Sequence, residues 1–232
     1  MSSIIEFRAA APQEVSDVRT FMQSDKSGEV KARPAPVFVH SAEQSFIHLL
    51  LRDGRIEGGG AVFEYGDGEF FEIGSMLITG ALGGFSPVGF QNLLCASLAL
   101  HGAVNTTLGD QGEGVERYGR WFAVARPGSP SETNLQKAGF VEHRPSSKLL
   151  EVRAAALKCP ADPNKAFYSL DMEAKICALT KLFYDQTDVT TLQRQNRRTN
   201  QTEKVDFKCT LKLRDPLVRA GALETFCGNS NS

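Results

Sequence analysis

Three features of this chain have residue types and spacing that suit chemistry. They are a glycine-rich stretch running into an apolar segment, a carboxylate inside an apolar strand pattern, and a histidine inside another. The first is TGALGGFSPVG, from Thr79 to Gly89, followed at once by FQNLLCASLALH, from Phe90 to His101. Leu93, Leu94, Ala96, Leu98 and Ala99 leave that second segment little polar surface, which predicts a well-buried helix. A helix that begins at a glycine-rich turn points its free backbone N–H groups at one spot. Its macrodipole adds positive potential there. A pyrophosphate fits such a place without lysines. Gly83, Gly84 and Gly89 allow close backbone approach, and Ser86 adds a hydroxyl. A loop that only turns the chain reads the same way when taken alone.

Glu72 is the second feature. Period-two alternation puts Glu72, Gly74 and Met76 on one strand face and Phe71, Ile73 and Leu77 on the other. A carboxylate in such company is costly unless paired or hydrated. Burial is expected to raise its pKa toward the range useful for taking a proton from an amine. The competing reading is a solvent-facing or salt-bridged glutamate. His48, between Phe46-Ile47 and Leu49-Leu50, reads either as a base or substrate contact or as a packed core histidine. His101 ends the apolar helix, where a cation complements the dipole. Tyr65 and Tyr118 read as acceptor-pocket linings or as ordinary aromatics. Cys95 has no neighbour to give it thiolate character and reads as core. The run Gly58-Gly59-Gly60 lacks the strand-then-helix setting of a dinucleotide fingerprint.

The elements that must position these residues can be read in order. Ile4 to Arg8 alternates as a strand, and Ala11-Pro12 opens a helix with Val15, Val18, Phe21 and Met22 on one stripe. Residues 24–36 read as a loop. Phe46–Leu51, Gly58–Tyr65 and Phe70–Ile78 form three strands, joined at Asp53-Gly54 and Gly66-Asp67-Gly68 as an antiparallel meander. Residues 102–119 are a polar loop, and Arg120–Arg126 is a central strand. PGSPSETNLQKAGF then starts a short helix, capped by Ser131 or Thr133 and closed at Gly139, with a strand from Val141. Farther on, Asp171–Tyr184 reads as a helix and residues 185–204 as a polar loop. Val205 to Leu213 alternates as a half-buried strand, and GNSNS reads as a disordered tail.

Composition narrows the classes. The 232 residues, with 41% hydrophobic and 23% charged, suit one globular domain with an elaboration. A net charge of -1 gives no general pull toward nucleic acid, so any such binding needs a local patch. Five scattered cysteines without a CxxC pair argue against structural zinc and a disulfide framework, and no metal site is expected. The N-terminus lacks a signal-peptide pattern and no run is long enough to span a membrane, so a cytoplasmic protein is expected.

The order of these elements resembles the GCN5-related N-acetyltransferases. The residues carrying the resemblance are DGRIEGGGAVFEY, FEIGSMLI, GGFSPVGFQNLL and WFAVARPGSPSETNLQKAGF, within residues 4–150. The resemblance implies an α/β fold: a central mixed, largely antiparallel sheet flanked by helices. Residues 1–150 would be the acyl-CoA-binding core and 151–232 a helix–strand extension packed on it. It implies acetyl-CoA or another acyl-CoA as co-substrate and direct acyl transfer to a primary amine of a small molecule or protein. The backbone of Met76, Leu77 and Ile78 would hold the pantetheine arm across a splay in the sheet. Gly84, Ser86, Val88, Gly89, Phe90 and Gln91 would hold the phosphates, although Ser86 and Gln91 replace the family's usual residues. Ser129 stands at its usual asparagine position and Gln136 at its usual tyrosine position. Glu72, with His48 as a further candidate, would be catalytic. Two other readings compete: a binding or regulatory module on this fold, or a tRNA- or carrier-linked acyl donor gripped by Arg194, Arg197 and Arg198. A monomer or homodimer fits all three.

Overall fold

The structure is a computed structural model and describes residues 4–24, 30, 33–78, 120–170, 190–195 and 201–210. The first strand, β1 (Ile4–Ala9), leads through a single 3-10 turn into helix α1 (Val15–Gln23), and α2 (Ala35–Glu43) comes next. The meander is β2 (Ile47–Arg52), β3 (Arg55–Tyr65) and β4 (Phe70–Ile78). Then come β5 (Trp121–Ala125), α3 (Pro130–Ala138), the two-residue β6 (Val141–Glu142), α4 (Ser147–Leu157) and β7 (Ala166–Ser169). Strands β8 (Thr190–Gln195) and β9 (Thr202–Thr210) complete the described elements.

The nine described strands form one sheet in the order β6-β7-β5-β4-β3-β2-β1-β9-β8. The pairs β1/β9 and β4/β5 are parallel and the others antiparallel. This is the mixed, largely antiparallel α/β sheet that the resemblance implies. The turn chemistry agrees with the sequence: Asp53 and Gly54 both take positive φ between β2 and β3, as a tight hairpin requires.

Alternation sorts the sheet's side chains onto two faces. On one, Ile47, Leu49, Ala61, Phe63, Tyr65 and Phe122 pack with Val18 and Met22 of α1, Phe38 and Ala42 of α2, and Leu149 of α4. Gly59 lies under α1, where an added Cβ would come within 3.1 Å of the Met22 Cε. The helix sits that close because β3 is glycine-rich there.

Four local expectations change. Helix α2 begins inside the presumed loop at 24–36; Val37 and Val39 weaken its intrinsic signal, and burial of Phe38, Ser41 and Ala42 on one side overrides that. Ser129, rather than Ser131 or Thr133, caps α3, its hydroxyl accepting from the Glu132 N–H at 3.2 Å. Part of the presumed polar loop at 185–204 is strand β8, held by its ladder to β9 rather than by apolar content. Residues 150 and 151 both lie inside α4, and β7 sits between β5 and β6, so the sheet core continues past residue 150. The presumed helix at 171–184, the glycine-rich stretch and the helix after it at 79–101, the loop at 102–119 and the tail lie outside the described residues.

Candidate functional site

The site is organised by a change along β4. Its first half pairs with β5 in parallel through Phe71–Trp121, Glu72–Phe122 and Ile73–Ala123. The Phe71 and Trp121 rings stack across that pair with centroids 4.6 Å apart and planes 10° from parallel. From Gly74 to Ile78, β4 keeps β3 as a neighbour but has no strand partner on the β5 side among the described residues.

A bulge accompanies the change. Gly74 pairs with Ala61 and Leu77 with Gly59, so Ser75 and Met76 together stand opposite the single residue Gly60. The extra residue bends the strand and re-aims its last three residues. Ser75 takes φ 50°, a left-handed conformation that a residue with a Cβ seldom adopts. Beyond the bulge, Leu77 and Ile78 remain paired with Gly59 and Gly58, which among the described residues ties up only their β3-facing backbone groups. Met76, Leu77 and Ile78 thus lie on a strand edge that opens away from β5.

A cleft forms at this opening, with Gly74 and Ser75 of β4 and Val124 of β5 in its wall. Arg33, Glu72 and Arg153 line it as well. Glu72 is 1% exposed and projects to the face that carries α1, α2 and α4. Its Oε1 accepts from Arg33 Nη2 at 2.6 Å and Arg153 Nη2 at 3.0 Å. Its Oε2 accepts from Arg153 Nε at 2.8 Å and the Tyr65 hydroxyl at 2.8 Å. Four donors meet the roughly four acceptor positions of an ionised carboxylate. The two guanidinium groups also lie over rings, Arg33 at 5.0 Å from Phe63 and Arg153 at 5.8 Å from Phe167.

The expected rise in the Glu72 pKa is therefore reversed. Burial acts to raise it, but the charges of Arg33 and Arg153 and the hydrogen bonds from Arg153 and Tyr65 outweigh burial and hold the carboxyl at about 2. The Tyr65 hydroxyl is pushed well above its ordinary value by burial and by the Glu72 charge. Burial disfavours the charge on Arg153, and Glu72 more than compensates, so its pKa is raised. Glu72 is the salt-bridged glutamate weighed as the alternative, and a carboxylate this acidic is a weak proton acceptor at neutral pH.

The other candidates fall in different places. His48 is fully buried and stacks on Phe7 with centroids 5.7 Å apart. It pairs in register with Gly60, whereas Ile47, Ala61, Phe63 and Glu72 succeed one another across the other face. The fold therefore separates His48 from Glu72 by the thickness of the sheet. Ser129 caps α3. Gly84, Ser86, Val88, Gly89, Phe90 and Gln91 lie outside the described residues, as do Arg197 and Arg198, while Arg194 is on β8. Among the described residues, no group of histidine, cysteine and carboxylate side chains is placed to hold a metal, and no helix is long and apolar enough to cross a membrane.

Sequence reading missed Arg33 and Arg153. They stand 39 residues before and 81 residues after the carboxylate they share, so no local spacing announces them. The one usable signal was Glu72 itself, since a glutamate in an apolar strand calls for a cationic partner.

No protein-family model matches the chain, and no curated protein matches it. Solved structures do. Rv2747 from Mycobacterium tuberculosis, solved in complex with CoA and a second ligand, superposes with a TM-score of 0.51 at 12% identity, over 71% of this chain and 98% of that one. N-acetylglutamate synthase from Neisseria gonorrhoeae, solved with coenzyme A and N-acetyl-glutamate, gives 0.49 at 14% identity, over 71% of this chain and 34% of that one. This chain thus matches about a third of the synthase's length. An acetyltransferase of the GNAT family from Streptococcus pneumoniae gives 0.46 at 10% identity, over 71% of this chain and 96% of that one. With the strand order and the opening in the sheet already in place, the chain has the fold of the GCN5-related N-acetyltransferases.

Proposed function

We propose that this chain is an N-acyltransferase that uses acetyl-CoA or another acyl-CoA as co-substrate and passes the acyl group directly to a primary amine. The observation that carries this reading is the opening between β4 and β5 past Ile73 and Ala123, with the bulge at Ser75-Met76 at its apex. Met76, Leu77 and Ile78 lie on that edge, and those of their backbone groups that point away from β3 would suit the amides of an extended pantetheine arm. The N–H groups of Leu77 or Ile78 would stabilise the oxyanion as the amine nitrogen bonds to the thioester carbon. The carbon–sulfur bond then breaks, the sulfur leaves as a thiolate, and the amine's surplus proton passes through water in the cleft to that thiolate. Glu72 serves here as the anchor for Arg33 and Arg153, not as the base. Gly84, Ser86, Val88, Gly89, Phe90 and Gln91 remain the proposed seat of the phosphates.

The test is thiol release from acetyl-CoA by the full chain against a panel of primary amines, alongside melting temperature with several acyl-CoA thioesters. The expected result is a raised melting temperature with at least one thioester and amine-dependent thiol release. No shift with any thioester at saturation would overturn the reading. A second reading is favoured by the saturated carboxylate of Glu72: a binding or regulatory protein that keeps the acyl-CoA site without turnover. It predicts the thermal shift and no thiol release with any amine.

A further inference from the structure

The cluster at the cleft wall carries more cation than its own carboxylate can use. Glu72 accepts four hydrogen bonds and has no acceptor position left. A guanidinium offers five N–H donors. Arg33 gives Glu72 one of its five, through Nη2, and Arg153 gives two of its five, through Nε and Nη2. The Arg33 side chain is only 8% exposed, and its Nε has no hydrogen-bond partner among the described residues. Such a buried donor is costly to leave unsatisfied. Among the described residues, the charged side chains lining the cleft are Arg33, Arg153, Lys165, Glu72 and Asp162, and the two arginines share the single carboxylate of Glu72.

We propose that this cleft seats a carboxylate of the acceptor, bound by the donors of Arg33 and Arg153 not used by Glu72, with Lys165 at the rim. The acceptor is thus an amine that also carries a carboxylate, as an amino acid does. Glu72 holds the two guanidinium planes in place, and the ligand supplies the second anion that the cluster lacks. Planar guanidinium groups suit the paired oxygens of a carboxylate. The proposal rests on the acyltransferase reading for the ligand's purpose, but the anion seat itself can be tested without turnover.

Cys159 supplies that test, because it lines the same cleft and is exposed. The rate of its alkylation by N-ethylmaleimide, followed on its own peptide by mass spectrometry, reports occupancy of the cleft in the full chain. N-acetylalanine is expected to slow alkylation, and its neutral amide N-acetylalaninamide to need at least about 10-fold higher concentration for the same protection. Arg33→Gln is expected to abolish the difference between the two. If that variant does not fold, Lys165→Gln, outside the Glu72 cluster, is expected to shrink it. Equal protection by acid and amide, or protection by O-phosphoethanolamine but not by N-acetylalanine, would overturn the carboxylate seat. Selective protection by the acid with no thiol release in the transfer assay would leave the seat standing and defeat the transferase reading alone.

Discussion

The two halves of β4 belong to one strand and do opposite things. From Phe71 to Ile73 the strand is paired on both sides, buried, and pinned by the stacked Phe71 and Trp121 rings. From Gly74 to Ile78 it is half-buried, bulged, and paired with β3 alone among the described residues. The side chains differ accordingly: aromatic and β-branched residues in the first half, a glycine and a serine at the bend. A sheet opens at a defined point only when the segment before it is held firmly. The rigid half positions the open half, and Glu72 sits next to the junction, fastening it to the loop before α2 and to α4.

The heaviest way to break this contrast is to remove Glu72. Glu72→Ala leaves Arg33 and Arg153 facing each other without their anion, and stability measured by urea unfolding should fall by about 3–5 kcal/mol. Trp121→Ala attacks the pinned half; lost burial and a cavity beneath Phe71 should cost a similar 3–5 kcal/mol or slightly less, given its position at the first residue of β5. Acid probes the same fastening without a mutation. The folded Glu72 pKa of about 2 lies below the ordinary value of 4.5. Its stabilisation is therefore complete above about pH 4.5 and is lost as pH falls toward 2, a loss of about 3 kcal/mol. Unfolding free energy measured across that window should show the decline, and Glu72→Gln should flatten it. The smallest effect is expected in the open half. Ser75→Gly relieves the left-handed backbone but adds chain entropy in the unfolded state, so stability should change by less than about 1 kcal/mol. Ser75→Val, which cannot take that conformation easily, should be clearly worse by the same measurement.

Much of this architecture is legible in the sequence. Asp53-Gly54 and Gly66-Asp67-Gly68 announced the meander because turn chemistry is local, and Gly139 announced the end of α3 for the same reason. Helix α2 was not legible, because its proline-flanked, valine-containing segment is helical by virtue of what it covers. Strand β8 was missed because its stability comes from a neighbour rather than from its own residues. At the site, the position of Glu72 on the strand was readable but the direction of its pKa shift was not. Burial alone raises a carboxyl pKa, and two arginines far away in sequence reverse the sign. Long-range charge pairing leaves no periodic trace in a sequence.

Strand β9 lies parallel to β1 and continues the sheet beyond the strand that opens the chain. The first strand is thus an inner one, with Ile5 and Phe7 almost wholly shielded. Cutting the chain ahead of residue 202 would strip β1 of its cover and leave a row of free amide and carbonyl groups beside an apolar surface. Exposed strand flanks of that kind recruit copies of themselves. The late part of the chain therefore also keeps the molecule from sticking to its own kind.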